Sequence, residues 1–338
     1  MQKYLIQLAD SDLTIPCEQP DTVLRAALRS GIGFPYECSS GGCGSCAFEL
    51  LAGELTELWS SAPGLSLRAR ERGLRLACQS APAGDCLIKV RSKAECVPPV
   101  VPRRHIATLV RARPLTHDIS EFQLRTEAAA EFLPGQYALL DIAGVAGSRC
   151  YSMSNLANTE GDWHFIVKRV PGGAATNILF DQLSPGAQIG LDGPYGMSYL
   201  RTDSARDIVC IAGGSGISPV MSILRAAVRE PRLAGRTLSL FYGGRSPRDI
   251  CSTGLISEDP ILRGRVICHE AISDPACTDD WTGSRGFIHE IVQSKVGDRI
   301  RDLEFYFCGP PPMINALQRM LIIDHKVPAA QLHFDRFL

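Results

Sequence analysis

Residues 38–46 read Cys-Ser-Ser-Gly-Gly-Cys-Gly-Ser-Cys, which sets three thiols, Cys38, Cys43 and Cys46, at C-x4-C-x2-C spacing. A fourth, Cys78, follows in Leu76-Ala77-Cys78-Gln79. A tight trio with a distant single thiol is the plant-type spacing of a [2Fe–2S] cluster, in which four thiolates surround two irons. Such a site needs a loop that wraps the metal and turns its amides toward the sulfurs, and the loop's glycines allow that path. A tetrahedral zinc site is the alternative, although zinc motifs usually pair their cysteines as two short-spaced couples. Cys86, at a turn beside Asp85, competes with Cys78 for the fourth position. The chain's 13 cysteines are odd in number and unevenly spread. That argues against a secreted disulfide framework and for a reducing compartment. Cys17, Cys96, Cys210, Cys251, Cys268 and Cys277 read as ordinary thiols.

A length of 338 residues implies two or three domains. The formal net charge of -1 gives no electrostatic footprint for nucleic acid. No apolar run approaches a membrane span, so no membrane partner is expected. Met1-Gln2-Lys3-Tyr4-Leu5-Ile6 runs straight into a strand and lacks a secretory signal, which points to the cytoplasm.

Residues 1–92 suggest a small β-grasp domain. Alternation at 2–9 and 13–17 predicts a hairpin, and a short helix follows with Asp21 as its N-cap. Two further strands, 47–51 and 87–90, flank the cysteine loop. Residues 93–102, rich in proline, read as an extended linker. Residues 103–200 show short strands separated by turns, the pattern of a small antiparallel barrel with one helix inserted. Residues 201–338 alternate strand and helix, which means a doubly wound parallel α/β sheet. The chain is thus multidomain, α+β and α/β, and each domain is expected to hold its own core.

Four loops carry ligand chemistry. Arg149-Cys150-Tyr151-Ser152 lies on a barrel strand: its arginine can fork onto a pyrophosphate, and a tyrosine two residues on shares the same face. Val170-Pro171-Gly172-Gly173-Ala174-Ala175-Thr176 opens a helix, where free amides favour an anion. Gly213-Gly214-Ser215-Gly216 follows a buried strand and opens a helix for which Ser218 reads as the N-cap. Cys308-Gly309-Pro310 ends another strand in the same way.

Together these motifs resemble the ferredoxin-NADP reductase superfamily. With the N-terminal cluster domain, the chain is similar to the reductase components of bacterial multicomponent oxygenases. The stretches 34–38, 58–65 and 333–337 look like those of toluene- and alkene-type diiron monooxygenase reductases; reductases of Rieske dioxygenases share the layout. The resemblance implies FAD, a [2Fe–2S] cluster and NADH, in an NADH-dependent oxidoreductase. Arg149, Tyr151 and Ser152 would hold the flavin. Val167 and Lys168 would line its adenosine side, and Gly173 and Thr176 its pyrophosphate. Gly213, Gly214, Ser215, Gly216, Cys308, Gly309 and Pro310 would surround the nicotinamide. Ser152, Cys308 and Phe337 would border the reacting rings, with Phe337 covering the flavin face. Cys38, Cys43, Cys46 and Cys78 would hold the irons. The implied partner is an oxygenase hydroxylase component or a Rieske-type ferredoxin. NADH is preferred over NADPH on family habit. An arginine of the 242–249 loop could take a 2′-phosphate, and Asp249 opposes this only if it reaches the ribose.

Overall fold

The computed structural model describes residues 2–277 and 281–336. The N-terminal sheet has five strands in the order Thr14–Glu18, Lys3–Leu8, Cys86–Lys89, Ala47–Ala52, Leu74–Leu76. Its central pair, Lys3–Leu8 with Cys86–Lys89, is parallel, and the helix Val23–Arg29 lies against it in the β-grasp manner. That helix is capped by Thr22, whose hydroxyl accepts the Arg25 amide, and not by Asp21. Asp21 is drawn off by two guanidinium groups, Arg29 and Arg104, and a charged hydrogen bond outweighs a neutral cap.

The second sheet is antiparallel throughout. Its order is Arg149–Ser152, Tyr137–Asp141, Gln188–Tyr195, Arg103–Pro114, Ile119–Arg125, Asp162–Lys168. The two edges meet through a Met153–Phe165 bridge and a 2.7 Å bond from the Ser154 amide to the His164 carbonyl, closing a barrel. The inserted helix Ala174–Asp181 buries Ala175 and Leu179 in the barrel core.

The third sheet is all parallel, in the order Ser284–Arg285, Ile267–Ile272, Leu238–Gly244, Asp207–Gly213, Leu303–Gly309, Leu332–Arg336. Separate apolar clusters fill its two faces. Strand order reverses between Asp207–Gly213 and Leu303–Gly309, so a crevice opens where these two strands end.

The core of the cluster domain is not separate from the barrel, as the sequence had led one to expect, but runs on into it. Tyr137, Leu139 and Tyr195 of the barrel join the apolar cluster that contains Ile6, Phe34 and Tyr36. The reason is topological. The barrel strands 137–141 and 188–195 turn one face toward the N-terminal sheet, and period-two alternation gives each of them two apolar faces to cover. The linker is pinned as well: the Lys93 amide donates to the Gly33 carbonyl at 2.8 Å, and Arg29 reaches the Pro102 carbonyl at 3.0 Å. No helix among the described residues is long and apolar enough to cross a membrane.

Candidate functional site

The four thiols of the N-terminal loop come together as two pairs. Cys46 Sγ lies 3.4 Å from Cys78 Sγ. Cys38 Sγ accepts the Ser40 and Cys43 amides at 3.4 Å, and Cys43 Sγ accepts the Ser45 amide at 3.4 Å. Within each pair one thiol is drawn toward thiolate by its neighbour, Cys38 by Cys43 and Cys46 by Cys78, and the partner thiol is pushed up. The two pairs offer two thiols each, and two irons would take one pair each. Cys86 is directed elsewhere: its thiol donates to the Gly84 and Glu54 carbonyls at 3.2 and 3.4 Å. Gly44, at φ +82°, shows why the loop is glycine-rich, since a Cβ there would stand 2.4 Å from the Gly64 carbonyl oxygen.

The cluster loop is fastened to the barrel strand that carries the arginine–tyrosine motif. The Cys150 thiol donates to the Cys38 carbonyl at 3.2 Å. The Tyr137 hydroxyl donates to the Glu37 carbonyl at 2.8 Å and lies 2.7 Å from the Ser39 hydroxyl. Tyr36 returns the contact by accepting the Gly196 amide at 2.9 Å. Farther along the boundary, Arg29 forks between Asp21 and Asp192, with closest distances of 2.9 and 2.6 Å. These contacts between domains carry no local signal, because Tyr137, Cys150 and, through Asp192, Arg29 meet partners roughly a hundred residues or more away in the chain.

On the Arg149–Ser152 strand, Arg149 is exposed and its guanidinium rests on the carbonyls of residues 146–148. Tyr151 shares its face and packs against the barrel core, where burial pushes its hydroxyl up to about 12. Ser152 is buried. Across the seam, Val167 is held in the barrel core, so its backbone is what it offers a ligand, while Lys168 reaches outward to Asp118 at 2.8 Å. Gly173 caps the helix Ala174–Asp181, and the Thr176 hydroxyl closes the preceding turn by accepting the Val170 amide. That leaves the first amides of this helix free, as an anion requires.

Two polar atoms near this region are buried without a partner: Ser154 Oγ and Asp335 Oδ2. Burial lifts the Asp335 carboxyl to about 7, against a bond from Ser198 that lowers it. The exposed Arg149, the Tyr151 ring and the start of the helix Ala174–Asp181, which no side chain caps, suit a polar, planar, phosphate-bearing group such as FAD, and the partnerless Ser154 Oγ lies two residues beyond Ser152 on the same segment.

The nucleotide loops interlock at the strand-order reversal. A Cβ on Gly216 would sit 2.0 Å from the Cys308 carbonyl oxygen, and one on Gly213 would meet Met313 Sδ at 2.9 Å. Gly214 accepts the Tyr242 hydroxyl through its carbonyl at 3.1 Å, and Ser215 lies in the same turn, 214–216. Cys308 is buried and its thiol is pushed well up, so it stays neutral. Gly309 and Pro310 lead from it into the helix Pro311–Gln318. Ser218 is not a cap; it lies inside the helix Ile217–Arg229. Its hydroxyl donates to the Ser152 carbonyl at 2.7 Å and accepts the Ile166 amide at 3.0 Å. It thereby ties the nucleotide sheet to both strands of the barrel seam. Asp249 accepts the Ser246 amide and hydroxyl and so closes its own turn. Phe337 lies outside the described residues; the nearest described C-terminal aromatic, Phe334, stacks on Phe307 at 5.0 Å.

A Gly216→Ala substitution is expected to weaken NADH binding by about tenfold or more, since forcing backbone apart in a packed turn costs about 1–3 kcal/mol. Titration of the FAD-loaded variant with NADH checks this, with FAD content unchanged. Unaltered NADH affinity would mean the crevice is not the nicotinamide site.

Comparison with known proteins agrees with this layout. Residues 6–83 match a 2Fe-2S iron-sulfur cluster binding domain, residues 106–199 an oxidoreductase FAD-binding domain, and residues 210–319 an oxidoreductase NAD-binding domain. The ferredoxin–NAD(P)+ reductase CarAd of Metapseudomonas resinovorans is 43% identical over 95% of this chain and 96% of its own. The ferredoxin–NAD+ reductase component of the alkene monooxygenase system of Xanthobacter autotrophicus is 40% identical over 95% of this chain and 97% of its own. The solved structure of the ferredoxin reductase in carbazole 1,9a-dioxygenase superposes with a TM-score of 0.92 at 38% identity, covering 100% of this chain and 99% of that one. With cluster, flavin and nucleotide modules in this order and relatives matched over nearly their full length, the chain belongs to the family of iron–sulfur flavoprotein ferredoxin–NAD(P)+ reductases that serve oxygenase systems.

Proposed function

We propose that the chain is the NADH-consuming reductase component of a cytoplasmic multicomponent oxygenase, with a toluene-type diiron monooxygenase as the system it serves. When bound, FAD takes hydride from NADH and the [2Fe–2S] cluster relays single electrons outward. Cys38 and Cys43 hold one iron, Cys46 and Cys78 the other. Arg149 holds the FAD pyrophosphate together with the helix amides beyond Gly173 and Thr176, and Tyr151 packs on the flavin. Ser152 and Lys168 flank it, with the backbone of Val167. Gly213, Gly214, Ser215 and Gly216 face Cys308, Gly309 and Pro310 across the nicotinamide, with Phe337 in the role of ring cover. The neutral Cys308 thiol acts by packing and not as a nucleophile.

One observation carries this reading: the Cys150–Cys38 contact of 3.2 Å joins the flavin strand to the cluster loop directly. Electrons then need no domain movement to pass between them. The alkene monooxygenase relative supports a monooxygenase system. The ferredoxin reductase in carbazole 1,9a-dioxygenase supports a second reading, a dioxygenase system, for which the partner here would be a Rieske-type ferredoxin. Anaerobic mixing of the NADH-reduced protein with a toluene-type diiron hydroxylase, and separately with a Rieske-type ferredoxin, distinguishes them. Rapid reduction of the hydroxylase is expected, and reduction of the ferredoxin alone would favour the second reading.

The flavin assignment has its own test. Arg149→Ala is expected to weaken FAD binding about ten- to a hundredfold, since losing one charged hydrogen bond to a phosphate costs roughly 1.5–3 kcal/mol. FAD affinity measured by fluorescence quenching checks it. Unchanged affinity would make Arg149 a solvated side chain.

A further inference from the structure

The segment Leu58-Trp59-Ser60-Ser61-Ala62-Pro63-Gly64-Leu65 takes no part in the chemistry above, yet it lies directly on the cluster loop. The Gly64 amide donates to the Gly41 carbonyl at 2.9 Å. A Cβ built on Gly41 would meet Ala62 Cβ at 3.1 Å and the Trp59 ring at 3.2 Å. The indole is therefore one van der Waals layer from the loop that carries Cys43. Trp59 is nevertheless 44% exposed, Leu58 57% and Leu67 79%. All three lie within one short stretch of chain, which Arg70 folds together by bonding the Ala62 carbonyl, and a contiguous exposed apolar patch marks an interaction site.

The charges around this face have one dominant sign. Glu57 is engaged by both Arg70, at 3.0 Å, and Arg75, at 2.7 Å. Arg70 also reaches the Ala62 carbonyl at 2.9 Å, which holds the helix Leu67–Glu71 beside Trp59. Arg68 and Arg72 are exposed and form no ion pair among the described residues, leaving Glu71 as the acid of that helix. Residues 38–46 carry no charge. Exposed Glu37 lies at the opposite end of the loop, where its carbonyl takes the Tyr137 hydroxyl. The Cys38 end is tied to the barrel through Tyr137 and Cys150, whereas no barrel residue bonds Cys43 among the described residues, and both thiols are half-buried.

We infer that Leu58, Trp59 and Leu67, bordered by Arg68 and Arg72, form the docking face through which the cluster passes electrons to a protein acceptor with an acidic rim around an apolar contact. The inference rests on the reading above, that electrons leave by this cluster. One electron from NADH crosses to an oxidised metal centre of the acceptor, and no bond is made or broken. The indole supplies a desolvating anchor and the arginines steer the encounter.

The test uses the full-length holoprotein and two haem proteins of opposite surface charge, acidic cytochrome b5 and basic cytochrome c. An Arg68→Glu, Arg72→Glu double variant should lose about tenfold in kcat/KM toward cytochrome b5 at low salt and gain toward cytochrome c, with the salt dependence of each reversed or flattened. Trp59→Ala should lose about tenfold toward cytochrome b5 while NADH oxidation by ferricyanide and the iron content hold. An unchanged cytochrome b5 to cytochrome c ratio in the double variant, with Cys46→Ser inactive toward both, would overturn the docking face and leave the cluster exit standing. Undiminished cytochrome reduction by Cys46→Ser would overturn both. A dimer that Trp59→Ala converts to monomer would give the face to a second copy of this chain, and that too would overturn the proposal.

Discussion

A Cys46→Ser protein is expected to bind FAD and oxidise NADH with ferricyanide at close to the unaltered rate, while its reduction of cytochrome b5 falls by at least about tenfold. Cys46 lies 3.4 Å from Cys78, so it belongs to one of the two thiol pairs. An alcohol at this position is a far poorer iron ligand than a thiolate. The loops proposed to take NADH, residues 213–216 and 308–310, belong to another sheet. Serine nearly keeps the volume of the buried cysteine, which matters because this core is shared: Tyr137, Leu139 and Tyr195 pack in it. Deleting the N-terminal domain would instead strip those side chains and leave Asp192 without Arg29. The point variant is the cleaner experiment for that reason. Full cytochrome reduction by a cluster-free Cys46→Ser protein would make the flavin the direct donor.

Arg29→Ala is expected to destabilise the protein by about 3–5 kcal/mol, the range for removing one partner of a buried ion pair. Two carboxylates lose a partner at once, Asp21 and Asp192, whose side chains are only 6% and 3% exposed. Arg104 still reaches Asp21 at 2.5 Å, so Asp192 is the more exposed to the loss. Arg25 stands 4.0 Å from Asp192, too far to replace the fork. The unfolding midpoint should drop by several degrees, and on heating, cytochrome b5 reduction should fall before NADH–ferricyanide activity does. Because the network is shielded, raising salt should change the unaltered protein little. An unchanged transition together with unchanged electron delivery would mean that apolar contact alone, through Tyr36, Tyr137 and Tyr195, holds the domains.

How much of this was legible in the sequence depends on how local each feature is. The trio Cys38, Cys43 and Cys46 is a single loop, so its spacing alone implies its chemistry. Cys78 needed the fold: only the Ala47–Ala52 and Leu74–Leu76 pairing brings it beside Cys46. The Arg149-x-Tyr151 alternation follows from strand geometry. Ser218 looked like a cap because it precedes a proline in an apolar helix, but its hydroxyl answers to Ser152 and Ile166 in another domain. Asp21 went the same way, taken from a helix end by Arg29 and Arg104. Tyr137 belongs to no motif, and the motifs that contain Cys150 and Asp335 say nothing of the contacts these two make. They acquire their place only when three sheets meet, and single-chain periodicity does not encode that meeting.

Electrons are proposed to enter as hydride beside residues 213–216 and to leave through the thiols of Cys38, Cys43, Cys46 and Cys78. Anaerobic rapid mixing of the holoprotein with NADH, with flavin absorbance and iron-based electron spin resonance followed together, separates entry from exit. Flavin absorbance is expected to fall first and a [2Fe–2S] spin signal then to grow, with iron and acid-labile sulfide present in equal amounts. Flavin bleaching with no iron signal, or stoichiometric zinc without labile sulfide, would overturn this route.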